Sequence, residues 1–222
     1  MDKNEKRERL GIPKYTLGEE LVNSISHGLG AAFGIVALIL SVVFSAHQGD
    51  AWKIVSSAIY GASMIVLYTV STIYHALGIN LAKKVFRTLD HCSIYFLIAG
   101  TYTPYTLVAM RENVGFYIFV VIWLAATVGI TFNAINVHKF RVMSMIIYIA
   151  MGWAIVFSAR ALISSVEPAG VVLLLSGGVL YTVGAVLYGL GKKKKYMHSV
   201  FHFLALGGSV CHFISIFAYV IL

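Results

Sequence analysis

Apolar residues run through this chain in long blocks, separated by short polar interruptions at nearly regular intervals. Seven stretches, at roughly 21–46, 52–77, 88–110, 114–136, 141–163, 169–190 and 197–222, reach the about 20 mostly apolar residues that an α-helix needs to cross a bilayer. The breaks carry turn-forming and charged residues: His47-Gln48-Gly49-Asp50, Asn80 to Lys84, Arg111-Glu112-Asn113, His138 to Arg141, Glu167-Pro168 and Gly191 to Lys195. No extended alternation of apolar and polar positions points to a barrel. The pattern predicts an all-α integral membrane protein, a seven-transmembrane-helix bundle over residues 20–222, preceded by a polar tail over 1–19.

Composition removes the soluble alternative. Of 222 residues, 59% are hydrophobic and only 12% charged, with a mean hydropathy of +0.84. A soluble domain carries roughly twice that share of charge, and its core cannot absorb so much apolar side chain. The two cysteines, Cys92 and Cys211, fall in separate spans and imply no disulfide framework. Met1–Lys14 is polar and charged, without the apolar run of a signal peptide.

The net charge of +8 and pI near 9.5 would suit a nucleic-acid binder, but the charge sits in short loops between apolar spans. Fourteen of the 17 Lys and Arg fall in the N-terminal tail, in the second loop (Lys83, Lys84, Arg87), in the fourth (Lys139, Arg141) and in the sixth (Lys192–Lys195). Lys53, Arg111 and Arg160 fall on the other side. Positive charge stays in the cytoplasm, so the N-terminus is expected inside and the C-terminus outside, in a plasma membrane. The lysine run reads as such an anchor, with a lipid-binding or nucleic-acid patch as the alternative. Gly177-Gly178, Gly184 and Gly207-Gly208 read as close-packing points between helices, and Arg160 as a snorkelling side chain.

Ionisable residues inside a membrane span are costly and usually face the bundle interior. They are few here: Glu20-x-x-Asn23-x-x-x-His27 at the start of the first span, Ser71-x-x-x-His75 at the end of the second, Asp90-His91 opening the third, and His198-x-x-x-His202 in the last, with His212 deeper. In any seven-span chain these segments share one membrane face. His198 and His202, four apart, present imidazoles to a common point, as paired histidines of helical zinc motifs do. His75 supplies a third nitrogen, and three histidines plus a water make the open arrangement of a catalytic zinc site. His212 faces the same interior but lies ~21 Å from His198 along the axis. Asp90 is then placed to accept the proton of an attacking water, Ser71 to hydrogen-bond it or the substrate oxygen, and Glu20, Asn23 and His27 to fix the ligands' orientation. Plainer readings stand beside these. His198 and His202 could only cap or snorkel, His75 could be a hydrogen-bonded helix end, Asp90 an N-cap of the third span, and His91 could take Asp90's role. His47 and His138 are loop residues that need no function.

Glu20-Leu-Val-Asn23-Ser-Ile-Ser-His27, then Ser71-Thr-Ile-Tyr-His75 with Leu-Asp90-His-Cys-Ser-Ile, then His198-Ser-Val-Phe-His202 resemble the three motifs of the hemolysin III family. That group stands with the progestin and adiponectin receptors and, more distantly, the alkaline ceramidases. Ala99-Gly-Thr-Tyr-Thr-Pro104 and the short tails are similar to its bacterial branch. The resemblance covers nearly the whole chain. It implies a seven-helix fold with one zinc near the cytoplasmic face, held by His75, His198 and His202, with Asp90 and Ser71 beside the water. The large N-terminal region of the animal receptors is absent, so hormone binding gains no support.

Two functions follow from these expectations. One is a zinc-dependent hydrolase of a lipid amide or acyl bond, and the other a non-catalytic cytolytic or membrane-homeostasis protein with a structural zinc. A receptor or transporter would need a polar pathway, and Asn133, Asn136 and Arg160 are too scattered to draw one. The partners expected are membrane lipids. Nothing points to nucleic acid or to a particular protein partner, and the sequence leaves the oligomeric state open.

Overall fold

A computed structural model describes residues 2–191 and 194–222, and among them the regular structure is helical, with no β-strand. Lys192 and Lys193 of the lysine run, and the side chains of Lys3 and Arg141, lie outside the described residues. A short charged helix α1 (Lys3–Leu10) precedes α2 (Leu17–His47), α3 (Ala51–Ala76), α4 (Leu81–Pro104), α5 (Gly115–Asn136), α6 (Arg141–Trp153), α7 (Ala159–Ser165), α8 (Pro168–Leu190) and α9 (Met197–Ile216).

The polar punctuation starts these helices. Thr16 caps α2 through a reciprocal box with Glu19, satisfying N–H groups that have no partner within the helix. Asp50 caps α3 and Asn80 caps α4, while Pro168 begins α8, where its missing N–H costs nothing.

Six helical segments among the described residues are long and apolar enough to span a bilayer: Leu17–His47, Ala51–Ala76, Gly115–Asn136, Val142–Ser165, Pro168–Leu190 and Met197–Ile221. Their surface is inverted relative to a soluble fold. Phe157 is 96% exposed and Leu190 83%, while Ser41, Ser45, Ser56, Ser57 and Ser63 are fully buried. Such a surface is stable only against hydrocarbon. The chain is a multi-pass membrane protein.

α4 departs from the sequence pattern. The third apolar block begins at 88, but the helix begins at Leu81 behind Asn80. Lys83, Lys84 and Arg87 are therefore helical and not loop residues. Lys83 and Arg87 are buried, and Asp90 lies in the third turn, which removes its reading as an N-cap. α4 ends through a π turn at Tyr105–Ala109, after Pro104.

The block at 141–163 is not one continuous α-helix either. It passes through a 3₁₀ segment at Ala154–Ser158. The buried Tyr102 hydroxyl donates to the Met151 carbonyl at 2.7 Å and accepts from the Ile155 N–H at 2.8 Å. Those two groups would pair directly in an α-helix, so the phenol has entered the ladder.

The two ends of the bundle are tied separately. At one, Arg87 donates to the Gly11 carbonyl and meets His138, and the Tyr196 N–H donates to Glu19 at 2.8 Å. At the other, Gln48 and Lys53 donate to the Ile221 carbonyl, and Arg111 lies over the Trp52 ring. Between them α8 and α9 approach closely: a Cβ on Gly177 would stand 2.9 Å from the Gly208 carbonyl oxygen, and one on Gly208 3.1 Å from that of Gly177. Cys92 and Cys211 are free thiols.

Candidate metal centre

The capping box that starts α2 also aims it. Glu19 caps the helix with one carboxylate oxygen and accepts the Tyr196 N–H with the other, pinning α2 to the loop before α9. Glu20 and Asn23 then project inward, His75 arrives on the last turn of α3, and His198, Ser199 and His202 arrive on the first turns of α9.

These side chains meet. The Nε2 atoms of His75 and His198 are 3.2 Å apart, and those of His198 and His202 are 3.1 Å apart. Four ligands at 2.0–2.1 Å in a tetrahedron stand roughly 3.3 Å from each other, so the spacing suits one metal ion. The outer nitrogens argue the same way. Glu20 Oε2 lies 2.6 Å from His75 Nδ1. A carboxylate only accepts, so His75 carries its proton on Nδ1 and turns a lone pair inward at Nε2. His202 Nδ1 lies 3.3 Å from the Asn23 carbonyl oxygen, which sets the same tautomer. Inward lone pairs converging on His198 Nε2 cannot all be satisfied by one imidazole proton. A cation among them satisfies all three.

The remaining groups hold the rings. Ser199 donates to Asn23 Oδ1 at 2.6 Å, and the Asn23 amide nitrogen is 3.5 Å from His75 Nδ1. His27 stacks flat on His202 with ring centroids 3.6 Å apart and edge-on to Tyr68. Neither His27 nitrogen has a hydrogen-bond partner among the described residues, so it supports His202 by packing.

Ser71 and Asp90 do not touch the histidines by hydrogen bonds. They line, with His27, His198 and His202, a cavity of about 150 Å³ whose other walls include Leu67, Ile94, Leu97 and Ile155. The buried Ser71 hydroxyl has no partner among the described residues and is free to bond to a cavity guest. His91 is not interchangeable with Asp90: its Nδ1 donates to the Arg87 carbonyl at 3.0 Å, and it does not line this cavity. His212 lines the cavity too, with Nε2 bonded to the Leu174 carbonyl at 3.0 Å.

Two participants escape sequence reasoning. Lys83, counted there as a loop charge, reaches Glu20 Oε1 at 2.8 Å while fully buried. Tyr15, just before the α2 cap, stacks on His198 with centroids 5.1 Å apart and planes 13° from parallel. Burial, with Tyr188 and Tyr74 nearby, pushes its phenol well above the ordinary value, so it stays neutral. No spacing marks either residue; only the helix packing does.

The chain is similar to known proteins over most of its length. The sequence profile described as "Haemolysin-III related" matches residues 15–213. The chain is 39% identical over 205 residues to the Hemolysin-3 homolog of Bacillus subtilis, spanning 92% of this chain and 96% of that one. It is 39% identical over 203 residues to Hemolysin-3 of Bacillus cereus, spanning 91% and 92%. The monocyte to macrophage differentiation factor of Homo sapiens is 27% identical over 218 residues, spanning 94% and 87%.

Proposed function

This chain belongs to the haemolysin-III related family, and on that premise we propose that it is a zinc-dependent hydrolase of a lipid amide or acyl bond. The observation that carries the proposal is the convergence of three imidazole nitrogens, two of them on His198 and His202, which line an apolar cavity that also exposes a carboxylate and a free hydroxyl.

His75, His198 and His202 would hold the ion. Bound zinc would polarise a carbonyl and lower the pKa of a coordinated water toward ~7. The chain's own groups divide the rest. Asp90 accepts the water's proton and returns it to the leaving group. Ser71 donates its unused hydrogen bond to the oxygen where charge develops. Leu67, Ile94 and Leu97 exclude bulk water and receive an acyl chain. Imidazole donors with a helical i,i+4 pair favour zinc over manganese or magnesium.

The same reading takes α4 as a seventh span, with the N-terminus cytoplasmic, the C-terminus outside and the metal near the inner leaflet. The charge distribution supports it, as does the meeting of residues 11, 87 and 138 at one end.

The test is metal content by mass spectrometry together with turnover of lipid amides and esters, on detergent-purified protein. Wild type is expected to hold about one zinc per chain. His202→Ala loses metal and turnover, while Asp90→Asn keeps metal and loses turnover by 10²-fold or more, the scale of lost acid–base catalysis. Metal-free wild type, or unchanged turnover in both variants, would overturn the proposal. A second reading, a cytolytic or membrane-homeostasis protein with structural metal, draws on the Hemolysin-3 names of the two Bacillus relatives. It predicts size-limited dye release from liposomes by the purified protein, whether or not Asp90 is intact.

A further inference from the structure

Lys83 is among the most completely enclosed side chains of the protein, at 2% exposure. A buried ammonium must be compensated, and this one is: Nζ lies 2.8 Å from Glu20 Oε1 and donates to the carbonyls of Tyr74 and Leu77, each at 2.9 Å. All three donor positions of the ammonium are used. The carbonyl partners close the C-terminal end of α3, where orphan carbonyls and the helix dipole favour a cation. The Tyr74 ring lies 4.9 Å below it.

The direction of this arrangement matters. Glu20 has two carboxylate oxygens and uses both inward, Oε1 on Lys83 and Oε2 on His75 Nδ1. With Oε1 held by a cation that is itself fixed to α3, Oε2 has one place to go. Lys83, Glu20, His75 and the centre of the histidine cluster form a single relay across α4, α2 and α3. We propose that Lys83 is a positioning residue for the metal centre: it orients Glu20 so that His75 keeps its Nδ1–H tautomer and presents an Nε2 lone pair to the ion.

The inference rests on the metal reading and goes beyond it, since Lys83 touches neither the cavity nor a histidine. Groups that orient histidine ligands typically contribute 10–100-fold in metal affinity. A carboxylate without its fixed cation is free to turn toward solvent, because Glu20 is only partly buried.

The experiment is zinc affinity by competition with chelators of graded strength, on purified protein, comparing wild type, Lys83→Met, Glu20→Gln and the double variant. Lys83→Met is expected to weaken zinc binding 10–100-fold without changing the metal-to-protein ratio at saturation. Glu20→Gln is expected to weaken it similarly, and the double variant no further, because both act through one relay. Lys83→Arg, which keeps the charge, is expected to recover most of the affinity. Wild-type affinity in Lys83→Met, or losses that simply add in the double variant, would overturn the inference while leaving the metal centre intact. Should Lys83→Met not fold, Glu20→Gln reads the relay from its other end, and undiminished affinity there overturns it equally. Wild type that binds no zinc would instead overturn the metal reading itself.

Discussion

At the scale of single residues, the site is a set of acceptors and donors with little slack. Asn23 is fully buried and spends its side-chain oxygen on Ser199. Ser199→Ala leaves that oxygen without a partner and should destabilise the fold by ~1–3 kcal/mol, seen as a lower thermal midpoint in detergent. The ligand ratio should remain near one, since no metal donor is removed. Sequence spacing exposed much of this arrangement. Two histidines four apart must share a helix face, and parity brings them to the same end as Ser71-x-x-x-His75. It could not expose Ser199, which stands beside His198, because only the approach of α2 gives its hydroxyl a partner. Lys83 was hidden for a stronger reason. Its charge marks topology in the sequence pattern, and a lysine that marks a membrane face and one that is buried in an ion pair look identical in one dimension.

At the scale of elements, helix identity was legible and helix continuity was not. Blocks of apolar residues bounded by Asp50 or Pro168 locate α3 and α8, since those residues have positional meaning at helix starts. Asn80 does the same for α4, but well ahead of the apolar block that begins at 88. The break after Trp153 has no such marker, because its cause is the phenol of Tyr102, whose acceptor Met151 lies 49 residues on in the chain. The glycines of α8 and α9 carry unequal weight, as the packing shows. A methyl group at Gly177 would overlap the His212 ring and meet the Gly208 carbonyl at 2.9 Å, whereas one at Gly207 would find Leu180 at an ordinary 3.5 Å. Gly177→Ala should therefore cost about 1–3 kcal/mol by overpacking and separate α8 from α9, while Gly207→Ala should be nearly neutral. Parallel thermal melts in one detergent distinguish the two. Since α9 carries His198 and His202, the Gly177 variant should also weaken metal binding.

At the scale of the whole molecule, the inverted distribution of side chains follows from the solvent. Serines fill the interior and aliphatics face outward because hydrocarbon rewards neither water exposure nor unpaired hydroxyls. On the seven-span reading the two termini emerge on opposite sides, and C-terminal reporters check this. Alkaline phosphatase fused after Leu222 should be active and green fluorescent protein at the same position dark; the reverse pattern would return the C-terminus to the cytoplasm. The polar opening of α4 then bears on how the chain is assembled. Membrane insertion machinery admits segments largely by their apolarity, and α4, with Lys83, Lys84, Arg87 and Asp90 in its first ten residues, is not among the six described segments apolar enough to span. Alone, α4 is a poor candidate for entry. Synthesis from the N-terminus, however, delivers α2 and α3 first, and with them Glu20 and the carbonyls of Tyr74 and Leu77 that receive Lys83. The order in which the ribosome releases the helices thus provides the acceptors before the ammonium that needs them.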